Sequence, residues 1–119
     1  MSIESHKDLI VWKKSIALVT EVYQLTQTFP ADEKFGLVSQ MRRAAVSVPS
    51  NIAEGSCRGS RKDYRKFILI AYGSCTELET QLLIARNLKF ITTEQYAKIV
   101  EQTVEILKML SALARKLQQ

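Results

Sequence analysis

From Leu9 the chain sets apolar side chains at helical intervals. Leu9, Trp12, Ile16, Val19 and Tyr23 follow at steps of three and four, which predicts a helix over about 8–28. Val11, Leu18, Val22 and Leu25 make a second stripe beside the first, wider than one partner helix requires. Phe29-Pro30 closes the segment, because the residue before proline is pushed out of the α region. A second helix, about 32–57, is expected to start at Asp32, whose carboxylate can cap it. Its stripe is Phe35, Val38, Met41, Ala45, Val48 and Ile52. The pattern runs straight through Pro49, which removes a backbone donor and crowds the carbonyl of Ala45, so the second helix is expected to be kinked there. A stop is expected between Gly55 and Gly59, where glycine accepts the left-handed conformation.

Ser60-Arg61-Lys62-Asp63 resembles a capping box, and Tyr64, Phe67, Ala71, Ser74, Leu78, Leu82 and Ala85 extend a third helix over about 61–88. Thr92-Thr93-Glu94-Gln95 is a full capping box. Tyr96, Ile99, Thr103, Ile106, Leu110, Leu113 and Leu117 then carry a fourth helix over about 93–117. Short connections between long helices favour antiparallel neighbours. The reading is all-α: one domain, 1–119, folded as an up-down-up-down four-helix bundle.

Composition narrows the alternatives. At 119 residues the chain can bury one core, and four glycines and two prolines are too few for the turns of an all-β fold. The longest apolar run, Phe67 to Tyr72, falls far short of the roughly 20 residues that span a bilayer. The N-terminus lacks a basic-then-apolar leader pattern, and Cys57 and Cys75 have neither metal-site nor scaffold spacing; a cytoplasmic protein with reduced thiols is expected.

The charge is unevenly spread. Arg58 to Lys66 carries five basic residues and one Asp, a net +4, whereas the other 110 residues hold twelve basic and eleven acidic groups. Such a cluster can attract a polyanion, or can simply be a solvated helix start. Arg58, Arg61, Lys62, Arg65 and Lys66 are the candidate nucleic-acid-binding residues, with Arg42 and Arg43 as additions. Residues 61, 62, 65 and 66 should share one helix face. Tyr64 is either a stacking partner for a base or a core residue.

Catalytic chemistry is sparse. A di-iron bundle needs Glu-x-x-His pairs, and the single histidine, His6, lies before the first helix in an expected mobile tail. Glu54 and Glu77 are either a paired acid–base site or structural groups. In the structural reading they meet Arg42 or Arg43, or Glu54 and Asn51 serve backbone groups freed by Pro49. No enzyme activity, cofactor or metal is expected.

The segment QMRRAAVSVPSNIAEGSCRG, Gln40 to Gly59, resembles the bacterial four-helix-bundle proteins encoded in intervening sequences of 23S rRNA genes. Its specific part is Pro49-Ser50-Asn51-Ile52-Ala53-Glu54-Gly55; Leu9-x-x-Trp12, Phe29-Pro30 and Gly73-Ser74-x-x-Glu77 match as well. The likeness spans about Lys7 to Leu113. It marks Pro49, Asn51, Glu54, Gly55 and Glu77 as structural signature residues. It implies a cytoplasmic, non-catalytic protein that forms a homo-oligomeric ring, a pentamer, and binds structured RNA or DNA. Related bundles serve as accessory proteins of diversity-generating retroelements. Two alternatives carry over from the charge pattern: a scaffold docking an acidic protein partner, and, last, attachment to an anionic membrane, for which no greasy face is left over.

Overall fold

The computed structural model describes residues 6–118. It contains four helices, α1 (Ile10–Thr26), α2 (Leu37–Ser56), α3 (Arg61–Asn87) and α4 (Thr93–Gln118), with single 3-10 turns at His6–Asp8 and Ala31–Glu33. Each helix packs on its neighbours in sequence and α1 closes against α4, while the backbones of the diagonal pairs stay apart. This is the expected up-down-up-down bundle, about 45 Å long. The α2–α3 seam is the most extensive, and α1, the shortest helix, is the most loosely held.

The core takes α1's second stripe rather than its first. Val11, Leu18 and Val22 are buried, while Ile16 and Tyr23 are about 40% exposed and Trp12 is half-buried. Ser15 and Thr26 complete the buried line, and each hides its hydroxyl by donating to a carbonyl of its own helix, Trp12 O and Val22 O at 2.7 Å. Two polar residues in the buried row made the wrong face look the more apolar. His6 is no free tail: it is half-buried, with its ring edge-on to Trp12 at 5.1 Å.

The second helix begins five residues later than expected. Ala31–Glu33 forms a 3-10 turn, and the Glu33 carboxylate, not that of Asp32, accepts from the first helical N–H at Leu37. Phe35 precedes the helix and is 89% exposed instead of joining its stripe. From Leu37 the helix runs unbroken through Pro49. The Asn51 amide donates to Ser47 O and Ser47 Oγ, and Ser47 shares a 2.8 Å hydrogen bond with Ser74, so a polar chain ties α2 to α3. Asn51 therefore serves the carbonyl one turn behind itself, not the Ala45 carbonyl that proline frees.

The connections follow their capping chemistry. Gly59, at φ +85°, turns the α2–α3 hairpin, and Ser60 Oγ accepts from Asp63 N–H. Gly55 is buried where α2 and α3 converge: a β-carbon there would lie 2.8 Å from Phe67 Cβ and 3.1 Å from the Tyr64 carbonyl. At the other end, Phe90 N–H and Lys89 N–H close α3 onto Ala85 O and Arg86 O, a Schellman pattern with Lys89 left-handed at φ 64°. The Thr92–Gln95 capping box then opens α4 with both reciprocal bonds in place. Cys57 is exposed just past α2, whereas Cys75 is fully buried and donates to Thr103 O. Burial, with the nearby Glu79 charge second, pushes the Cys75 thiol up to about 12.

Candidate nucleic-acid interface

The hairpin between α2 and α3 brings the basic segment to one end of the bundle, where its five cations divide by task. Arg58 lies over the Phe67 ring and pairs with Glu54 at 2.6 Å, one turn back on its own side of the seam. Arg61 donates to Lys116 O at 2.7 Å and Arg65 to Ala114 O at 3.1 Å. The Lys116 acceptor belongs to the last turn of α4, whose final carbonyls lack intrahelical donors and carry the negative end of the helix dipole, and Ala114 immediately precedes that turn. Lys62 and Lys66 are exposed and have no bonded partner among the described residues. The expected single face of 61, 62, 65 and 66 is thus split into two files, arginines toward α4 and lysines toward solvent.

Replacing Arg61 and Arg65 together by alanine is expected to lower stability by about 1–2 kcal/mol, the worth of two exposed or half-buried charge-assisted bonds. It should also speed hydrogen exchange in the last turn of α4. Lys62→Gln with Lys66→Gln should leave the urea midpoint within about 0.5 kcal/mol of wild type. Equal losses in the two pairs would show that the division of labour is wrong.

Arg42 and Arg43 do not join this end. Fifteen residues separate Arg43 from Arg58 along α2 and its exit, about 22 Å at helical rise. Arg42 lies over the Tyr23 ring and donates to Thr26 Oγ1 and Tyr23 O, covering the C-terminal turn of α1 as Arg61 and Arg65 cover that of α4. Arg43 is exposed and without a bonded partner among the described residues.

Two cations not singled out from the sequence lie beside this cluster. Arg115 and Lys116 are exposed in the last turn of α4, and the bond from Arg61 to Lys116 O sets them beside the hairpin. The signal for them was topological: in an up-down-up-down bundle the end of the fourth helix returns to the start of the third. The α2–α3 hairpin and the last turn of α4 together hold seven cations against Glu54 and Asp63, a net +5. That equals the charge of the whole chain, so the remaining residues sum to zero.

The remaining signature residues play packing roles or stand free. Neither Glu54 nor Glu77 meets Arg42 or Arg43; Glu54 holds Arg58, and Glu77 is exposed with no bonded partner among the described residues. With Ser47 and Ser74 level, the two carboxylates lie about 15 Å apart along the bundle, too far to act on one substrate atom. Tyr64 is half-buried against Gly55 with its phenol pushed up by burial, so it forms part of the hairpin's packing and offers no open ring for stacking. Pro49 and Gly55 are both buried in α2. Among the described residues, no group of three His, Cys, Asp or Glu side chains is placed to hold a metal ion, and no helix is long and apolar enough to cross a membrane.

These features define a small all-α four-helix-bundle protein with one basic end. The chain belongs to the 23S rRNA-intervening sequence protein family, whose model matches residues 7–112. A crystal structure from Bacteroides thetaiotaomicron, of a protein of unknown function in the S23 ribosomal protein family, is similar in fold, with a TM-score of 0.83 and 28% identity. That match covers 89% of this chain and 96% of the other. No curated protein matches the sequence.

Proposed function

We propose that this protein is a non-catalytic, ring-forming nucleic-acid-binding protein that holds structured RNA or DNA by its phosphates, through the basic end of the bundle. The observation that carries the reading is the concentration of the molecule's entire net charge at the α2–α3 hairpin and the α4 terminus, with Lys62 and Lys66 left free of ion pairs. Arg61 and Arg65 keep their full charge while bonded to neutral carbonyls, so they add to the field as fixed cations. Lysines read charge rather than bases, and the site offers no open aromatic platform, so recognition follows the backbone and its shape. In a ring, each basic end is repeated about the axis, and weak single contacts add through multivalency. The lone histidine packed on Trp12 and the separated carboxylates support the absence of catalysis.

Fluorescence anisotropy with a labelled RNA hairpin and a DNA duplex tests this over about 50–200 mM salt, where released counterions make affinity fall steeply. Changing Lys62 and Lys66 to glutamate should weaken binding at least tenfold and flatten the log–log salt slope by about two. Binding that ignores both salt and the two substitutions would end the proposal.

A further inference from the structure

Two apolar surfaces of the bundle are left uncovered by the described residues. The first is a groove between α1 and α2, lined by Trp12, Ile16, Val19, Val46, Pro49 and Ala53, with Ser50 its one polar residue. Val46 joins it to a second depression that holds the exposed Phe35 and the unpaired Arg43. The second is the outer side of α3, where Ile70 is exposed beside Gly73, and Ile84 and Leu88 are exposed about 16 and 22 Å further along, at the far end of the helix. Gly73 lies in the middle of a 27-residue helix, where glycine costs about 1 kcal/mol relative to alanine. A β-carbon at this position would meet no atom within 4 Å, so nothing inside the subunit calls for glycine there. Glu77, one turn on, is exposed and unpaired.

We infer that these surfaces are two halves of one contact: the outer side of α3 in one copy seats in the α1–α2 groove of the next, with Gly73 against the Val46–Pro49 wall and Glu77 facing Arg43. The inference rests on the ring-forming part of the function proposed above and assigns its faces.

The heights along the bundle agree with this pairing. Ser47 and Ser74 are hydrogen-bonded and therefore level. Glu77 lies three residues from Ser74 and Arg43 four from Ser47, in the same direction because the helices are antiparallel. Their displacements are about 4.5 and 6 Å. Subunits set side by side around an axis parallel to the bundle thus bring acid to base with little axial slip. Gly73 falls level with Val46 and Pro49 by the same count. A helix lacking a side chain at that point can approach closely, which is what a shallow groove needs. One surface is a ridge with a free carboxylate and the other a trough with a free guanidinium, so a second copy satisfies both charges and both apolar patches. Such a contact is head-to-tail, and closes into a ring when its rotation permits. Lys66 and Lys62 lie about 10 and 16 Å beyond Gly73 toward the hairpin. They therefore pass the groove's last residue, Ala53, and stay open to solvent.

The test is light scattering on the purified wild-type chain, Gly73→Leu, Glu77→Arg, and Glu77→Arg combined with Arg43→Glu. Wild type should be a closed multimer. Gly73→Leu should run as a single chain with unchanged helical circular dichroism, since a β-carbon at that position meets no atom of its own subunit within 4 Å. Glu77→Arg should also dissociate, and adding Arg43→Glu should restore the multimer mass. If wild type assembles but Gly73→Leu keeps its mass and the exchanged charges rescue nothing, this assignment of faces is overturned while ring formation stands. A wild type that remains a single chain overturns both.

Discussion

Gly55→Val should lower the unfolding free energy by about 3 kcal/mol, the upper part of the range for forcing extra volume into a packed seam. The first added carbon would already lie 2.8 Å from Phe67 Cβ, 3.0 Å from Tyr64 Cδ1 and 3.1 Å from the Tyr64 carbonyl. Two of those neighbours, Phe67 Cβ and the carbonyl, are backbone or next to it and cannot swing aside, so relief requires α2 and α3 to separate at the hairpin. The gain in helix propensity on leaving glycine, at most about 1 kcal/mol, offsets only part of the cost. Gly55→Ala should be milder, in the same direction. A urea melt of Gly55→Val matching wild type would mean that the hairpin opens freely, and the close seam would lose its explanation.

Leu78→Ala should cost about 2–5 kcal/mol, the span observed when a buried leucine is cut back to its β-carbon. Leu78 has no exposed surface and sits midway along α3, the helix with large seams on both sides. Domains of this size are stable by about 5–15 kcal/mol, so the loss takes a substantial share. The thermal midpoint should fall by roughly 8–20 °C, since 1 kcal/mol shifts a chain of this length by about 4 °C. A shift of only one or two degrees would indicate that the middle of the bundle collapses around the gap.

The fold was legible because α3 and α4 carry unambiguous apolar stripes with recognisable ends, and α2 keeps its stripe from Val38 to Ile52. The Thr92–Gln95 box and Gly59 lie where the sequence put them, and the predicted ends of α3 and α4 hold to within a residue. Where the reading failed, hydropathy was the wrong measure. Ser15 and Thr26 are core residues because a hydroxyl can be satisfied by its own helix, which no apolar count registers. Phe35 and Asp32 misled because a 3-10 turn intervenes before α2, and the cap came from Glu33 instead. The site was half legible. A local count of charge found the hairpin cluster, but it could not tell free lysines from arginines committed to the carbonyls of α4. It also missed Arg115 and Lys116, which lie some fifty residues away in sequence and arrive only through topology.

The placement of the two thiols governs how the protein ages in air. Cys75 is sealed in the interior and held far from its thiolate form, so oxidants and alkylating reagents reach it only on unfolding. Cys57, at the exposed corner, is the single sulfur through which a stored sample can become covalently linked. Any disulfide that forms in the folded state must therefore join two molecules, and will vanish from a reducing gel without changing the fold of either.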